Sequence, residues 1–527
     1  MSKKLLKSGL IVSFMTLVSR VLGLVRDIVI ADKIGTSSGA DVFFFANKIP
    51  NFLRRLFAEG AFAQAFVPVL SEYQHKDIEN NTQHTRELIA KVSGTLGVIV
   101  TIVTAIGIIA SPVFVALFGF GWFLEWLDNG PATEKFDLAA QLLKITFPYL
   151  WFISLTALSG AILNTLGKFA AAAFTPVLLN VCIIGAAIYL APMFSEPAFA
   201  LAWGVFLGGL TQFLFQIPFL IKAGVLVKPS WGWNDSGVKK IRKLLLPAIF
   251  GVSVTQINLL LDTLIASFLI TGSISWLYYA DRLLEFPLGL FGIGIATVIL
   301  PSLSRLHAKQ DSSEFSATIN WAIKIVSLLG WPAMAGIMVL AQPIIMVLFM
   351  RGEFSQNDVL QVSFALYAYL SGLLSFMYIK VLAPGYYARQ DTKTPVIIGI
   401  KAMVANMAFN LALAPFFGYV GLAIATSMSA TLNGFLLYQG LKQRGVYQFD
   451  HGTKLVVAKL MVSAAIMAAV LYYLSPSFTV WLELETFAKI IKLCSLIAIG
   501  AGTYFASVTI LGVRLRHFTS VVKTAEK

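Results

Sequence analysis

Charged residues are scarce in this chain. Asp, Glu, Lys and Arg make up 13% of its 527 residues, about half the ~25% of an ordinary soluble domain. With 57% hydrophobic residues and a mean hydropathy of +0.79, that scarcity excludes a water-soluble globular fold. Cysteine is nearly missing. Cys182 and Cys494 lie far apart in apolar runs, so there is no disulfide framework and no metal spacing, only two small hydrophobes. The five histidines (His75, His84, His307, His451, His517) fall in polar connections, which excludes an intramembrane histidine relay. No P-loop, GxSxG or HExxH string occurs, and no loop is long enough to fold into a catalytic domain. The alternation of an outer-membrane barrel is absent as well. The chain reads as a non-enzymatic, all-α integral membrane protein, with no cofactor and no metal site.

What is present is a series of long apolar runs. A run of about 20 residues spans a bilayer. Glycine, proline and charge clusters divide the sequence into about fourteen such runs. The second (40–70), eighth (273–304) and ninth (317–349) are unusually long. The N-terminal MSKKLLKSG followed by an apolar run mimics a signal peptide, but it runs past signal length and carries charges; it is expected to be the first crossing. The formal charge of +14 is concentrated in alternate connections: Lys3, Lys4 and Lys7; Lys76 and Arg86; Lys168; the VKKIRK cluster 238–243; Arg305 and Lys309; Arg389 and Lys393; Lys442, Arg444 and Lys454; Arg514 and Arg516. The other connections are nearly free of Lys and Arg, and the longest, 123–137, is acidic. This pattern predicts an even number of crossings with both termini cytoplasmic. VKKIRK reads first as a topology signal with anionic-lipid contact, and Lys489 and Lys492 as snorkelling residues.

The two halves echo each other. Ala46, Lys48, Ile49, Leu56, Phe57 and Gly60 lie over Ala280, Arg282, Leu283, Leu290, Phe291 and Gly294 at an offset of about 234. One deletion later Pro68 lies over Pro301, and Thr175-Pro176-Val177 echoes Thr394-Pro395-Val396, each expected to open a helix. The expected plan is two six-helix repeats (1–224 and 243–444) joined by a basic linker (225–242), with two further helices and a tail (445–527). Parallel repeats place a substrate site near the midplane between them.

The charges inside the runs are the informative residues. On a helical wheel Ser13, Thr16, Ser19, Arg20, Gly23, Arg26 and Asp27 share an arc of about 140°. In the second run Asn47, Lys48, Asn51, Arg54, Arg55 and Glu59 share a similar arc, with Asp41 on its edge and a kink expected at Pro50. In the second half, Asp281, Arg282 and Glu285 sit at positions equivalent to those around Lys48. Each charge at mid-membrane costs about 2.5–3.5 kcal/mol or more if it faces lipid. Ion pairing between helices is one resolution, and Arg55–Glu59 has the right i,i+4 spacing. Asp27, however, is one carboxylate for Arg20, Arg26 and Arg54. Those three are expected to face a hydrated cavity and bind an anion, because the planar guanidinium suits phosphate. Asp262, near Gln256 and Asn258, reads as an interhelical hydrogen-bonding group or a cation or proton site.

Several strings carry a resemblance: SRVLGLVRD (19–27), ANKIPNFLRRLFAEGAFAQAFVP (46–68), LLKITFPYL (142–150), GAILNTLGKF (160–169), WLYYADRLLEFPLG (276–289) and KVLAPGYYARQDTKTP (380–395). Together they resemble the MurJ (MviN-type) family of lipid II flippases, related to multidrug (MATE) and polysaccharide exporters. The resemblance implies fourteen helices in two lobes around a V-shaped cavity, with the last two helices forming a groove for a polyprenyl tail. It implies a cargo of undecaprenyl-diphosphate carrying a disaccharide-pentapeptide, moved from the inner to the outer leaflet of the bacterial cytoplasmic membrane by alternating access. It also implies functional roles for Arg20, Arg26, Arg54 and Arg282 and for Asp41, with Ser19, Asp27, Lys48, Asn51, Arg55, Glu59, Asp281 and Glu285 in support. Relatives carry a neutral amide at the position of Asp262, which argues against general ion coupling there. The drive is expected to be the membrane potential or an ion gradient. Cell-wall synthesis proteins are expected partners, and nucleic acid is not. The competing readings are a flippase for another polyprenyl-linked glycan, a cation-coupled multidrug exporter, a membrane-embedded glycan polymerase and a scaffold.

Overall fold

The computed structural model describes residues 3–55, 61–77, 83–289, 293–514 and 516–519. Among them every regular element is helical, as expected where backbone groups have no water to bond and must satisfy one another within each segment. Contacts divide the chain into two compact units, Met1–Ser275 with Arg351–Phe354, and Trp276–Met350 with Ser355–Lys527.

The first unit contains α1 (Lys3–Ile34), α2 (Ser38–Arg54), α3 (Ala61–Lys76), α4 (Gln83–Ile109), α5 (Ser111–Phe118), α6 (Phe120–Leu127), α7 (Thr133–Thr146), α8 (Pro148–Thr165), α9 (Phe169–Gly185), α10 (Pro197–Lys222) and α11 (Ser236–Ala266). α1 packs along α9, α10 against α8 and α9, α2 against α7, and α11 against α3. Phe62, Phe66, Val69, Leu88, Leu158 and Leu163 close a shared core between α3, α4 and α8. Residues 243–266, which the repeat pattern groups with the second half, therefore pack here. Local chemistry sets the ends of the helices: Ser37 accepts from Ala40 N at the start of α2, and Asp235 accepts from Gly237 N and Val238 N at the start of α11.

The second unit contains the body of α12 (Ser273–Pro287), then α13 (Ile293–Ala308), α14 (Ser312–Phe349), α15 (Gln356–Leu370), α16 (Leu373–Tyr387), α17 (Lys393–Gln443), α18 (His451–Leu474), α19 (Phe478–Glu483), α20 (Thr486–Ile510) and α21 (Arg516–Thr519). α14 packs against α18 and α20, and α16 against α17. Ser355 and Asp358 form a reciprocal capping box at the start of α15. Asp358 also accepts from Trp276 Nε1 at 3.0 Å, and the Trp276 ring lies 5.0 Å from that of Tyr419.

Nine described segments are long and apolar enough to cross a membrane. Within the long runs 40–70 and 273–304 the described helices are α2 and α3, then α12 and α13. The two pairs match in length and in carrying a proline inside the second helix, Pro68 and Pro301. Leu56, Phe57, Leu290 and Phe291 of the echo lie outside the described residues. Pro395 does open α17, whereas Pro176 sits inside α9. At 51 residues, α17 would extend about 75 Å at ~1.5 Å per residue, over twice the ~30 Å hydrocarbon layer. Gly418, with φ 56° and ψ −136°, breaks it in two, in a conformation that side-chain-bearing residues rarely adopt.

The connection Arg351–Phe354 joins the first unit by close backbone contact. Glu353 N donates to Asp32 O at 3.1 Å. Gly35 and Gly352 have φ of 55° and 52°, and a Cβ on Gly352 would lie 2.1 Å from Asp32 O. Gly352→Ala is therefore expected to lower the melting temperature of the purified protein by several degrees. Gly97→Ala, where nothing lies within 4 Å of the added carbon, is expected to leave it unchanged.

Between α16 and α17, Asp391 accepts from Arg444 and from Thr394. The Arg444 guanidinium, helped by Thr394, pulls the Asp391 carboxyl from 3.8 down to about 2. A carboxyl more acidic in the folded state stabilises fully above its ordinary value, and the contribution disappears as pH falls through about 2. Melting curves recorded between pH 4 and pH 2 should steepen in their pH dependence for the wild type and flatten for Asp391→Asn.

Candidate functional site

Four helices of the first unit carry the intramembrane polar groups, and each group has a distinct environment. On α1, Arg26 is largely buried, with 12% side-chain exposure, and Asp27 more so at 3%. Arg26 Nη2 and Nε donate to Asp27 Oδ1 at 2.6 and 2.9 Å, and Nη1 donates to Asn180 Oδ1 on α9 at 3.1 Å. Asn180 Nδ2 donates in turn to Ser19 O at 3.1 Å. One edge of the α1 stripe is thus an ion pair knitted into the neighbouring helix. A buried pair broken on one side typically costs about 3–5 kcal/mol.

Arg20 differs. It lies two turns earlier on α1 and is exposed; among the described residues it makes no hydrogen bond or ion pair. Its exposed neighbours are Leu17 and Val21, at 57% and 54%. A full guanidinium charge midway along a helix of 32 residues is thus left to meet water or an anion.

α2 is tied to α11 by its cations. Lys48 Nζ donates to Thr263 Oγ1 at 3.1 Å and Arg55 Nη1 to Gln256 Oε1 at 3.2 Å. Arg54 Nε donates to Asn51 Oδ1 at 3.1 Å, and Asn51 Nδ2 to Asn47 O at 2.8 Å. Glu59, the expected partner of Arg55, lies outside the described residues. At the start of α2, Asp41 is 2% exposed and accepts from Gly272 N (2.7 Å), Ser275 N (2.9 Å) and Ser275 Oγ (2.7 Å). Asp41 thereby caps the start of α12, where unbonded N–H groups and the helix dipole favour a carboxylate. Asp262 is half-buried on α11 and is engaged by other groups.

The cluster on α12 in the second unit is more exposed. Arg282 Nη1 donates to Glu285 Oε2 at 3.1 Å and Nε to the Tyr278 hydroxyl at 3.3 Å, and the guanidinium lies 5.4 Å from the Tyr278 ring centroid. Arg282 and Glu285 are 36% and 50% exposed; Asp281 is exposed too. An ion pair this open is worth about 0–1 kcal/mol.

Sequence reasoning missed Asn180, Thr263 and the backbone cap at Gly272 and Ser275. Asn180 was discoverable as a lone amide in an apolar helix. The backbone donors have no sequence signature.

Comparison with known proteins places the chain in a family. The family model "Lipid II flippase MurJ" matches residues 30–491. The chain belongs to the MurJ family. A Vibrio cholerae protein named probable lipid II flippase MurJ is 63% identical over 522 residues, covering 99% of both chains. A Haemophilus influenzae protein of the same name is 58% identical, covering 95% of this chain and 99% of its own. The lipid II flippase MurJ of Burkholderia cenocepacia is 37% identical, over 98% and 99%. A solved MurJ structure described as inward closed aligns with a TM-score of 0.77 at 28% identity, covering 95% of this chain and 98% of the other. An inward-facing MATE-family multidrug transporter aligns at 0.66 with 15% identity, over 82% and 97%, and so shares the fold.

Two substitutions separate the roles of the α1 arginines. Arg26→Ala removes the guanidinium that donates to the buried Asp27 carboxylate and should lower the melting temperature of the purified protein, and Asp27→Asn in the same background should restore much of the loss. Arg20→Ala should leave the melting temperature unchanged.

Proposed function

We propose that this chain is a flippase that carries lipid II from the inner to the outer leaflet of the bacterial cytoplasmic membrane, with both termini on the cytoplasmic side. The observation that carries the reading is Arg20, an exposed guanidinium with no partner among the described residues, in the middle of a span-length helix of a MurJ-family chain. A diphosphate cannot cross hydrocarbon bare, and a fixed guanidinium can replace part of its water with two parallel hydrogen bonds. Arg54, on the neighbouring helix α2, donates to the neutral Asn51 side chain and adds positive charge to the same unit. Arg26 contributes positive potential while its own bonds hold α1 to α9.

Alternating access then needs a contact that forms in one state and breaks in another. Asp41 supplies it. Its three bonds to Gly272 and Ser275 are each worth about 0.5–1.5 kcal/mol net, together strong enough to hold a closed state and weak enough to release. Moving a net charge through the membrane potential is worth about 2.3 kcal/mol per 100 mV, so the potential or an ion gradient resets the empty cationic carrier. A multidrug exporter for cationic amphiphiles fits less well, because the unpartnered group is itself a cation.

The test is reconstitution in vesicles with lipid II, scoring its appearance in the outer leaflet. Wild-type protein should move the lipid chemically unchanged; Arg20→Ala should slow movement at least tenfold at unchanged melting temperature. Normal transport by folded Arg20→Ala overturns the site. Processed lipid II indicates an enzyme, and transport of a different polyprenyl-diphosphate glycan in its place moves the cargo assignment.

A further inference from the structure

The connection between α10 and α11 has no part in the function above. α10 ends at Lys222, and residues 224–235 run from there to the Asp235 cap of α11. This segment is firmly docked on α4. Ser230 N donates to Ala90 O at 2.9 Å, and Gly232 N to Thr95 Oγ1 at 3.0 Å. Two glycines permit the approach: a Cβ on Gly94 would lie 2.1 Å from Ser230 O, and one on Gly232 would lie 2.5 Å from Lys91 Cβ. The docking level is informative. α4 carries Arg86, Glu87 and Lys91 up to this point, and from Val92 onward it has no charged residue. The segment is therefore seated where the headgroup layer gives way to hydrocarbon, the depth at which tryptophan concentrates.

Held at that depth, Trp231 is 59% exposed and Trp233 38%. Their rings stack with centroids 6.0 Å apart and planes within 10°. The Arg242 guanidinium sits 4.0 Å from the Trp233 centroid, a cation–π contact, and its Nη1 is buried with no hydrogen-bond partner among the described residues. Lys228, Lys239 and Lys243 are exposed and make no ion pair among those residues, whereas Lys240 pairs with Glu72 and Lys91 with Asp235. Two aromatic rings are displayed on a rigid backbone beside uncompensated positive charge.

We propose that this element is a binding site for the headgroup of an anionic glycerophospholipid. The stacked indoles seat at the glycerol level, and Lys228, Lys239 and Lys243 meet the phosphate and its neighbours with Arg242 behind them. The site is separate from the arginines of α1 and α2 and does not depend on the transport reading.

The full-length protein, purified in neutral detergent, would be titrated with phosphatidylglycerol or phosphatidylcholine and the retained lipids counted by native mass spectrometry. Wild type should retain phosphatidylglycerol several-fold better than phosphatidylcholine. The triple variant Trp231→Ala, Lys239→Ala, Lys243→Ala should lose that preference at unchanged lipid-free melting temperature. Lys239→Glu with Lys243→Glu leaves the aromatic surface intact and should also lose it, which decides the matter if the triple variant misfolds. Undiminished phosphatidylglycerol retention by a folded charge variant overturns the proposal. So does an equal fall for both lipids, which indicates a greasy surface only, or retention of lipid II in place of phosphatidylglycerol, which assigns the loop to the cargo.

Discussion

A charge placed inside a membrane-spanning helix must find compensation, and the arrangement of the first unit follows from how each charge finds it. Arg26 takes a carboxylate one residue away and an amide on α9. Lys48 and Arg55 take neutral oxygens on α11. Asp41 takes backbone N–H groups at a helix start. Arg20 takes nothing from the described protein. The first three solutions draw α1, α2, α9, α11 and the start of α12 into one packed body. The last leaves a positive charge exposed on α1.

The same economy governs which parts can move. Contacts made by close backbone approach, such as Gly352 on Asp32 and Gly94 on Ser230, allow no side chain to slide between the surfaces and hold one geometry. Contacts made by a single side chain, such as Asp41 on Gly272 and Ser275, involve no such backbone interlock. A carrier needs both kinds: rigid bodies that preserve the binding group and releasable latches that change its access. The stacked Trp231 and Trp233 belong to the rigid kind, and their exposure is stable because the backbone beneath them is fixed.

Much of the fold was legible in the residues. Apolar run lengths marked the crossings, and Gly418 falls between the two runs read at 395–415 and 420–441. The wet stripe on α1 was legible from helical periodicity. Its division into a paired Arg26 and an unpaired Arg20 was not, because both arginines have the same chemistry and lie on the same arc; which meets Asn180 depends on where α9 packs. Likewise the bond from Arg55 to Gln256 spans 201 residues and leaves no trace in local spacing.

By itself, then, the order of residues determined that the chain lives in a membrane, that its helices are amphipathic where they carry charge, and which family it belongs to, because hydropathy, periodicity and identity are local properties. Only the tertiary structure decided which charges find a partner among the described residues and which lie exposed. Satisfaction is a matter of distance between groups far apart in sequence, and close packing of helices sets those distances.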